Sequence, residues 1–222
     1  PARDESLEQY ATDAEVAAYW LDAIDRRQPF AECAGVADLG AGNGLLGIGA
    51  LLLGAPRVLL VEVDPFVCEA LKAGLNRYGL APRAEVRCAD VRAAETGACD
   101  VVVMNPPWGQ RRRWADRPFL EAAVAHKRRA VHVLHSAGAR HVEPWARDAG
   151  WEAERWLEAE LTLPWKYAHQ QKNRAYTDAA MWWLRRKTGK EAAPKSLPRS
   201  EHVISARARW ATLARRGGSS AK

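Results

Sequence analysis

The sequence predicts an α/β, Rossmann-like doubly wound fold: a seven-stranded, mostly parallel sheet with an antiparallel C-terminal edge. Three observations predict it. Short apolar runs alternate with helical patterns up to Gly150. A glycine-rich turn, Asp38-Leu39-Gly40-Ala41-Gly42-Asn43-Gly44, joins the first such run to a helix. The last two extended stretches have no convincing helix between them. Alternation of this kind implies parallel strands with right-handed crossovers, whereas two extended segments in succession pair antiparallel.

Each element has its own signal. Thr12-Asp13-Ala14-Glu15 has the pattern of a capping box, and Val16, Tyr19, Trp20 and Ile24 follow at helical spacing. Val36 to Leu39 is a short buried strand. Leu45 to Leu53 is apolar and small, which suits a helix packed on a sheet; Gly54 closes it and Pro56 bars continuation. Arg57 to Val63 is the β-branched, apolar run of a strand buried on both faces. Pro65 opens a helix that runs to about Tyr78 and stops at Gly79. Ala84 to Cys88 is the third strand, and Asp100 to Met104 the fourth, ending at Asn105-Pro106-Pro107. A helix from Phe119 to Lys127, a strand from Ala130 to Leu134 and a helix from His141 to Ala149 come next. Glu152 to Thr162 and Tyr176 to Leu184 form the closing extended pair, around an irregular basic segment containing Pro164. Beyond Lys187, Gly189, Pro194 and Pro198 mark a linker, and Ser200 can cap a short basic helix. The expected division is therefore a domain over 1–187 and a basic C-terminal tail over 188–222.

Composition narrows the class. Hydrophobic residues make up 48% and charged residues 27%, ordinary values for a globular protein. No run approaches the length of a membrane span, and the first residues lack a secretory pattern, so a cytoplasmic protein with no membrane partner is expected. Cys33, Cys68, Cys88 and Cys99 are widely spaced and form no C-x-x-C pair; they read as buried free thiols, and no metal-ligand set emerges. The net charge of +6 is concentrated in Arg111 to Arg113, Lys127 to Arg129 and Arg185 to Lys187. Each cluster alone reads as solvated surface charge. Only proximity to a site makes it a contact for a polyanion.

The glycine turn lies between a strand and a helix, where glycine lets the backbone bend sharply and approach a ligand. Dinucleotide enzymes use a similar turn, so the neighbouring acids decide. Asp38 is placed to meet the cationic amino-acid end of S-adenosylmethionine. Glu62, ending the second strand, can accept from both ribose hydroxyls. Asp90, after the third strand, can accept from the adenine amine, with Val91 supplying a backbone N–H. Three carboxylates at successive strand ends suit a cofactor carrying an ammonium and a sulfonium; they would repel a pyrophosphate.

Asn105-Pro106-Pro107-Trp108-Gly109 begins where the fourth strand ends, the expected place for chemistry in an open α/β sheet. A planar amine has its lone pair delocalised into the ring. The Asn105 side-chain oxygen and the Pro106 carbonyl can each accept one amine hydrogen, turning that lone pair outward and stabilising the charge that develops. Proline fixes the backbone so that its carbonyl is already aimed. Trp108 offers a face for an extruded base, worth ~1–3 kcal/mol.

Leu7-Glu8-Gln9-Tyr10-x-Thr12, Ala37-Asp38-Leu39-Gly40-x-Gly42-x-Gly44, Asn105-Pro106-Pro107-Trp108-Gly109 and Ala130-Val131-x-x-Leu134-His135 are the residues that carry a resemblance. In them, from about Leu7 to Leu184, the chain resembles the class I methyltransferase-like family that forms N6-methyladenosine in small-subunit ribosomal RNA. The resemblance implies a segment with Gln9 and Thr12 folded over the cofactor, and cofactor contacts from Gly40, Asn43, Leu45, Glu62, Asp90 and Val91. It also implies rRNA as partner and a small zinc-binding activator protein as a second. Glu62 stands where aspartate is usual, and Trp108 replaces a phenylalanine or tyrosine, which alters pocket size. Lys166 and Lys172 correspond loosely to a basic loop of the family. Arg111, Arg112 and Arg113 directly follow the tetrad, where they flank the entry of a flipped base and read as RNA phosphate contacts. His132 and His135 alternate on a strand and read as structural.

Rivals exist. A glutamine N5 methyltransferase of peptide-release factors uses the same tetrad but usually carries an extra N-terminal helical domain. An N2-guanine rRNA methyltransferase is compatible with Trp108. A DNA adenine enzyme would normally need a further recognition domain, and an inactive RNA-binding scaffold would not need Asp38, Asn105 and the glycines intact.

Overall fold

The computed structural model describes residues 14–109, 113–125, 128–162 and 176–186. Gln9, Thr12, Arg111, Arg112, Lys166, Lys172 and the tail over 188–222 lie outside the described residues. The expected architecture is present. The strands are β1 (Val36–Leu39), β2 (Val58–Glu62), β3 (Ala84–Cys88), β4 (Val101–Met104), β5 (Ala130–Ser136), β6 (Trp151–Thr162) and β7 (Tyr176–Arg186). They form one sheet in the order β3-β2-β1-β4-β5-β7-β6. Pairs from β3 through β5 are parallel, and β7 runs antiparallel to both β5 and β6. A register shift between Arg155 and Leu157 marks a bulge in the long edge pair.

The helices α1 (Ala14–Arg27), α2 (Leu45–Leu52), α3 (Pro65–Arg77), α4 (Arg117–Val124) and α5 (Val142–Asp148) cover both faces. Trp20, Leu21 and Ile24 of α1, Leu46 and Leu51 of α2, and Leu71 and Leu75 of α3 pack with Val36, Leu60, Val103 and Leu134. Leu120 and Ala123 of α4, with Val142 and Ala146 of α5, pack with Leu39, Val61, Val102 and Val133. Residues of alternate parity along each strand thus enter opposite cores. This is why β1, β2 and β4 are buried at every position and are apolar throughout except at Asp38 and Glu62. At α3, Asp64 caps the helix by accepting from the amides of Phe66 and Val67, and Pro65 occupies the first turn.

Two expectations need correction. Cys33, Cys68 and Cys99 are buried free thiols, but Cys88 is exposed, because β3 is an edge strand of the sheet and is only partly covered. Arg128 is not solvated surface charge. It is 4% exposed, and its guanidinium donates to the Thr96 carbonyl at 2.7 Å, to the Ala123 carbonyl at 3.3 Å, and to Cys99 O and Thr96 Oγ1. It ties the loop before β4 to the end of α4. No described helix is long and apolar enough to cross a membrane.

Candidate active site

The strand order reverses between β1 and β4, so their C-terminal ends open a crevice where ligands of doubly wound sheets bind. Leu39 and Met104 are paired across that boundary. The residues that follow them, Gly40 and Asn105, begin the two loops that the sequence singles out. Chain topology therefore brings the glycine turn and the tetrad together, though Gly40 and Asn105 are 65 positions apart in the sequence.

Gly40, Gly42 and Gly44 all adopt positive φ (74°, 53° and 77°). The turn folds back on β2, with Gly40 N–H and Ala41 N–H both donating to the Val61 carbonyl at 2.9 Å. At Gly40 a side chain would also collide, since a Cβ there would lie 2.8 Å from Phe119 Cε1. The exposed Asn43 accepts the Leu45 amide at 3.2 Å, starting α2.

The three acids are placed as follows. Asp38 is 1% exposed, and its Oδ2 accepts the Gly47 amide of α2 at 2.8 Å. Burial, and to a lesser degree the neighbouring charge of Glu62, push its carboxyl up to about 7, against the opposing pull of the Gly47 bond. Glu62 accepts the Gly42 amide at 2.9 Å through Oε2, and the Val63 and Asp64 amides at 2.8 and 3.0 Å through Oε1. Three backbone donors thus occupy a carboxylate with about four lone-pair sites, so Glu62 is a brace of the glycine turn as well as a candidate ribose acceptor. Asp90 accepts the Arg92 amide at 2.9 Å and the Arg92 guanidinium at 2.9 and 2.6 Å. Those side-chain bonds hold its carboxyl down at about 2. Val91, beside it, is buried.

In the tetrad Pro106 is buried, and Asn105, Pro107 and Trp108 are half-buried. Trp108 Nε1–H donates to Asn105 Oδ1 at 3.0 Å, which fixes the amide's orientation. One face of the indole stacks on His135, with centroids 5.9 Å apart and planes 16° from parallel. Arg113 is exposed and lies over the exposed Trp114, 5.1 Å from the ring centre. A groove of about 260 Å³ lined by Arg57, Arg83 and Glu85 sits at the opposite, N-terminal edge of β2 and β3 and takes no part in the site.

Sequence reasoning missed Asp116, His135 and His141, which converge behind Trp108. His135 Nε2 lies 3.2 Å from Asp116 Oδ2, and His141 Nε2 contacts the same oxygen. Of the two strand histidines, His132 fits its structural reading: it is buried on the α1 face, stacked on Trp183, and burial together with the nearby Arg27 charge lowers it to about 3. His135 points the other way. Their odd separation along a strand was the available signal.

Residues 20–140 match the family described as methyltransferase small domain. The chain is 30% identical to the rRNA N(6)-adenosine-methyltransferase METTL5 of Danio rerio over 75% of this chain and 82% of that protein. A candidate RNA methyltransferase of Pyrococcus horikoshii superposes with a TM-score of 0.74 at 31% identity, covering 83% of this chain and 90% of that one. A Thermoplasma acidophilum protein superposes with a TM-score of 0.65 at 28% identity, covering 84% and 98%. The family match runs through both loops of the crevice, and with it the chain belongs to the methyltransferase small-domain family.

Proposed function

We propose that the chain transfers a methyl group from S-adenosylmethionine to the exocyclic N6 amine of an adenine in small-subunit ribosomal RNA. The observation that carries this reading is Asn105 at the end of β4, beside the glycine turn, with its amide oxygen oriented by Trp108. The site fits the cofactor. A buried Asp38 carboxyl raised to about 7 beside another acid is a group that a cationic ammonium would relieve. The positive-φ turn leaves backbone room for a close ligand. Similarity to an rRNA N6-adenosine methyltransferase supports the substrate class.

When bound, the cofactor supplies an electrophilic methyl carbon on a positively charged sulfur. Asn105 Oδ1 and the Pro106 carbonyl accept the two amine hydrogens and draw the nitrogen lone pair out of conjugation. Trp108, backed on one face by His135, presents its other face to the extruded base. No strong base is needed, because the methylated nitrogen is acidic and releases its proton to water. Glu62, Asp90 and Val91 are assigned to ribose and adenine, Gly40, Gly42, Asn43 and Leu45 to the amino-acid end, and Gln9 and Thr12 to the cover.

Arg113, with Arg111 and Arg112, is assigned to RNA phosphates, and Lys166 and Lys172 to RNA contact as well. The methyltransferase unit runs to residue 187, with 188–222 a basic tail, and ribosomal RNA as substrate makes the cytoplasm the expected compartment. A small zinc-binding activator is the second proposed partner. Phe66 at 76% and Tyr78 at 71% exposure, on or next to α3 beside the outer strand β3, offer it apolar surface.

The test is transfer of a deuterated methyl group by the purified chain to small-subunit rRNA and, separately, to a peptide-release factor. Labelled N6-methyladenosine supports the reading. Labelled N2-methylguanosine or N5-methylglutamine in its place overturns it.

A further inference from the structure

The geometry points to Asp116, His135 and His141 as a positioning device that fixes the Trp108 indole and, through it, the Asn105 amide. This rests on the reading of Asn105 as the group that holds the substrate amine.

The three residues come from separate elements: the turn leading into α4, β5, and the turn leading into α5. Asp116 stands at the N-cap of α4, the place where aspartate normally accepts helix amides, yet it makes no such bond. Its carboxylate turns instead to the two imidazoles and is 3% exposed. Burial alone would raise that carboxyl, but hydrogen bonds from His135 and His141 overcome it and hold it below the usual range.

The tautomer of His135 is set by the backbone. Ser136 N–H donates to His135 Nδ1 at 2.8 Å, so the ring proton sits on Nε2 and points at Asp116. Ring plane and tilt are thereby fixed at both nitrogens. On that plane lies the indole of Trp108, and the indole N–H in turn holds Asn105 Oδ1. The contacts run without a gap from Asp116 to the amide.

Ligand atoms of the three residues lie within 4.8 Å of one another, a spacing that a divalent cation could use. The tautomer argues otherwise. A metal-bound histidine presents a bare nitrogen to the ion and donates from its other nitrogen, whereas here Nδ1 accepts and Nε2 carries the proton.

The test compares His135→Ala, His135→Phe, Asp116→Ala and the double His135→Ala/Asp116→Ala variant with the unaltered protein and Asn105→Ala. Rates are measured on small-subunit rRNA, cofactor affinity by calorimetry, and the Trp108 indole N–H by nitrogen NMR, assigned with Trp108→Phe. His135→Ala and Asp116→Ala should each lower kcat about tenfold, with the S-adenosylmethionine Kd held within about twofold. The double variant should be no worse than either single one, because the two residues form one unit. His135→Phe keeps a flat ring under the indole and should recover kcat to within about threefold. The Trp108 indole resonance should move in His135→Ala and largely return in His135→Phe.

Unchanged kcat in His135→Ala and Asp116→Ala with an unmoved indole signal overturns the inference, and so does stoichiometric metal that is lost on His135→Ala. Should His135→Ala fail to fold, Asp116→Ala decides: a parental kcat with an unmoved indole signal overturns the inference. If Asn105→Ala itself transfers methyl normally, the reading of the site fails; if Asn105→Ala is inactive while the cluster variants are normal, only the positioning role fails.

Discussion

Gly47 and Asp38 are joined across the seam between α2 and β1 by a 2.8 Å hydrogen bond from amide to carboxylate. The contact leaves a nearly inaccessible acid beside Glu62, raised to about 7. In the unfolded chain the same acid titrates near 3.8. Between about pH 4 and 7 the native state therefore holds a proton that the unfolded state has lost. Stability must fall as pH rises through that window and level off above it. Asp38→Asn keeps an acceptor for Gly47 and removes the buried charge. It should be more stable than the parent at pH 8, by roughly 2–4 kcal/mol, with the gain shrinking toward pH 4. Thermal melts across pH check this. Over pH 5.5 to 7.5 the parent should bind S-adenosylmethionine more tightly as pH rises, and Asp38→Asn should lose that dependence together with most of its affinity.

Gly40 is constrained twice, by φ of 74° and by Phe119 at 2.8 Å from a notional Cβ. Gly40→Ala should cost about 1–3 kcal/mol and abolish cofactor binding. Adding Phe119→Leu relieves the collision but not the backbone strain, so urea unfolding should show partial recovery of stability. Full recovery would mean that the φ value is immaterial.

Arg128 and Arg113 carry the same charge and should behave differently. Arg128→Ala strands the carbonyls of Thr96, Cys99 and Ala123 and should destabilise by about 3 kcal/mol, leaving the salt dependence of rRNA binding unaltered. Arg113→Ala should leave melting unchanged and reduce the log–log salt slope of rRNA binding by about one unit. Filter binding at several salt concentrations separates the two.

Much of the fold was legible because its physics is local. Val58 to Val61 and Val101 to Met104 read as strands since burial on both faces demands unbroken apolar residues, and Asp64-Pro65 marks a helix start by capping chemistry alone. The glycine turn and the tetrad were legible as motifs, and topology makes them neighbours. What escaped was what depends on distant partners. The Gly42 amide on Glu62, the hydrogen bonds that bury Arg128 within a basic run, and the convergence of Asp116, His135 and His141 are set by tertiary packing; strand parity separates His135 from His132 but does not reveal its partners. Cys88 was misjudged for a related reason: whether a strand is an edge is a property of sheet order.

Trp108 serves two partners, Asn105 through its N–H and His135 through its face. Trp108→Phe keeps the stack and loses the hydrogen bond, so it should lower kcat by about tenfold or less with little change in cofactor affinity. Trp108→Ala loses both, and its kcat should fall further while KM for rRNA rises. Steady-state rates against each substrate distinguish these outcomes.

The most direct measurement is single-turnover methyl transfer to small-subunit rRNA by Asn105→Ala, with S-adenosylmethionine affinity measured on the same preparation. An amide oxygen that orients the amine and steadies its developing charge should be missed by about 100-fold or more in rate, while the cofactor Kd stays within about twofold. Transfer at the parent's rate by a variant that binds cofactor normally would contradict the account.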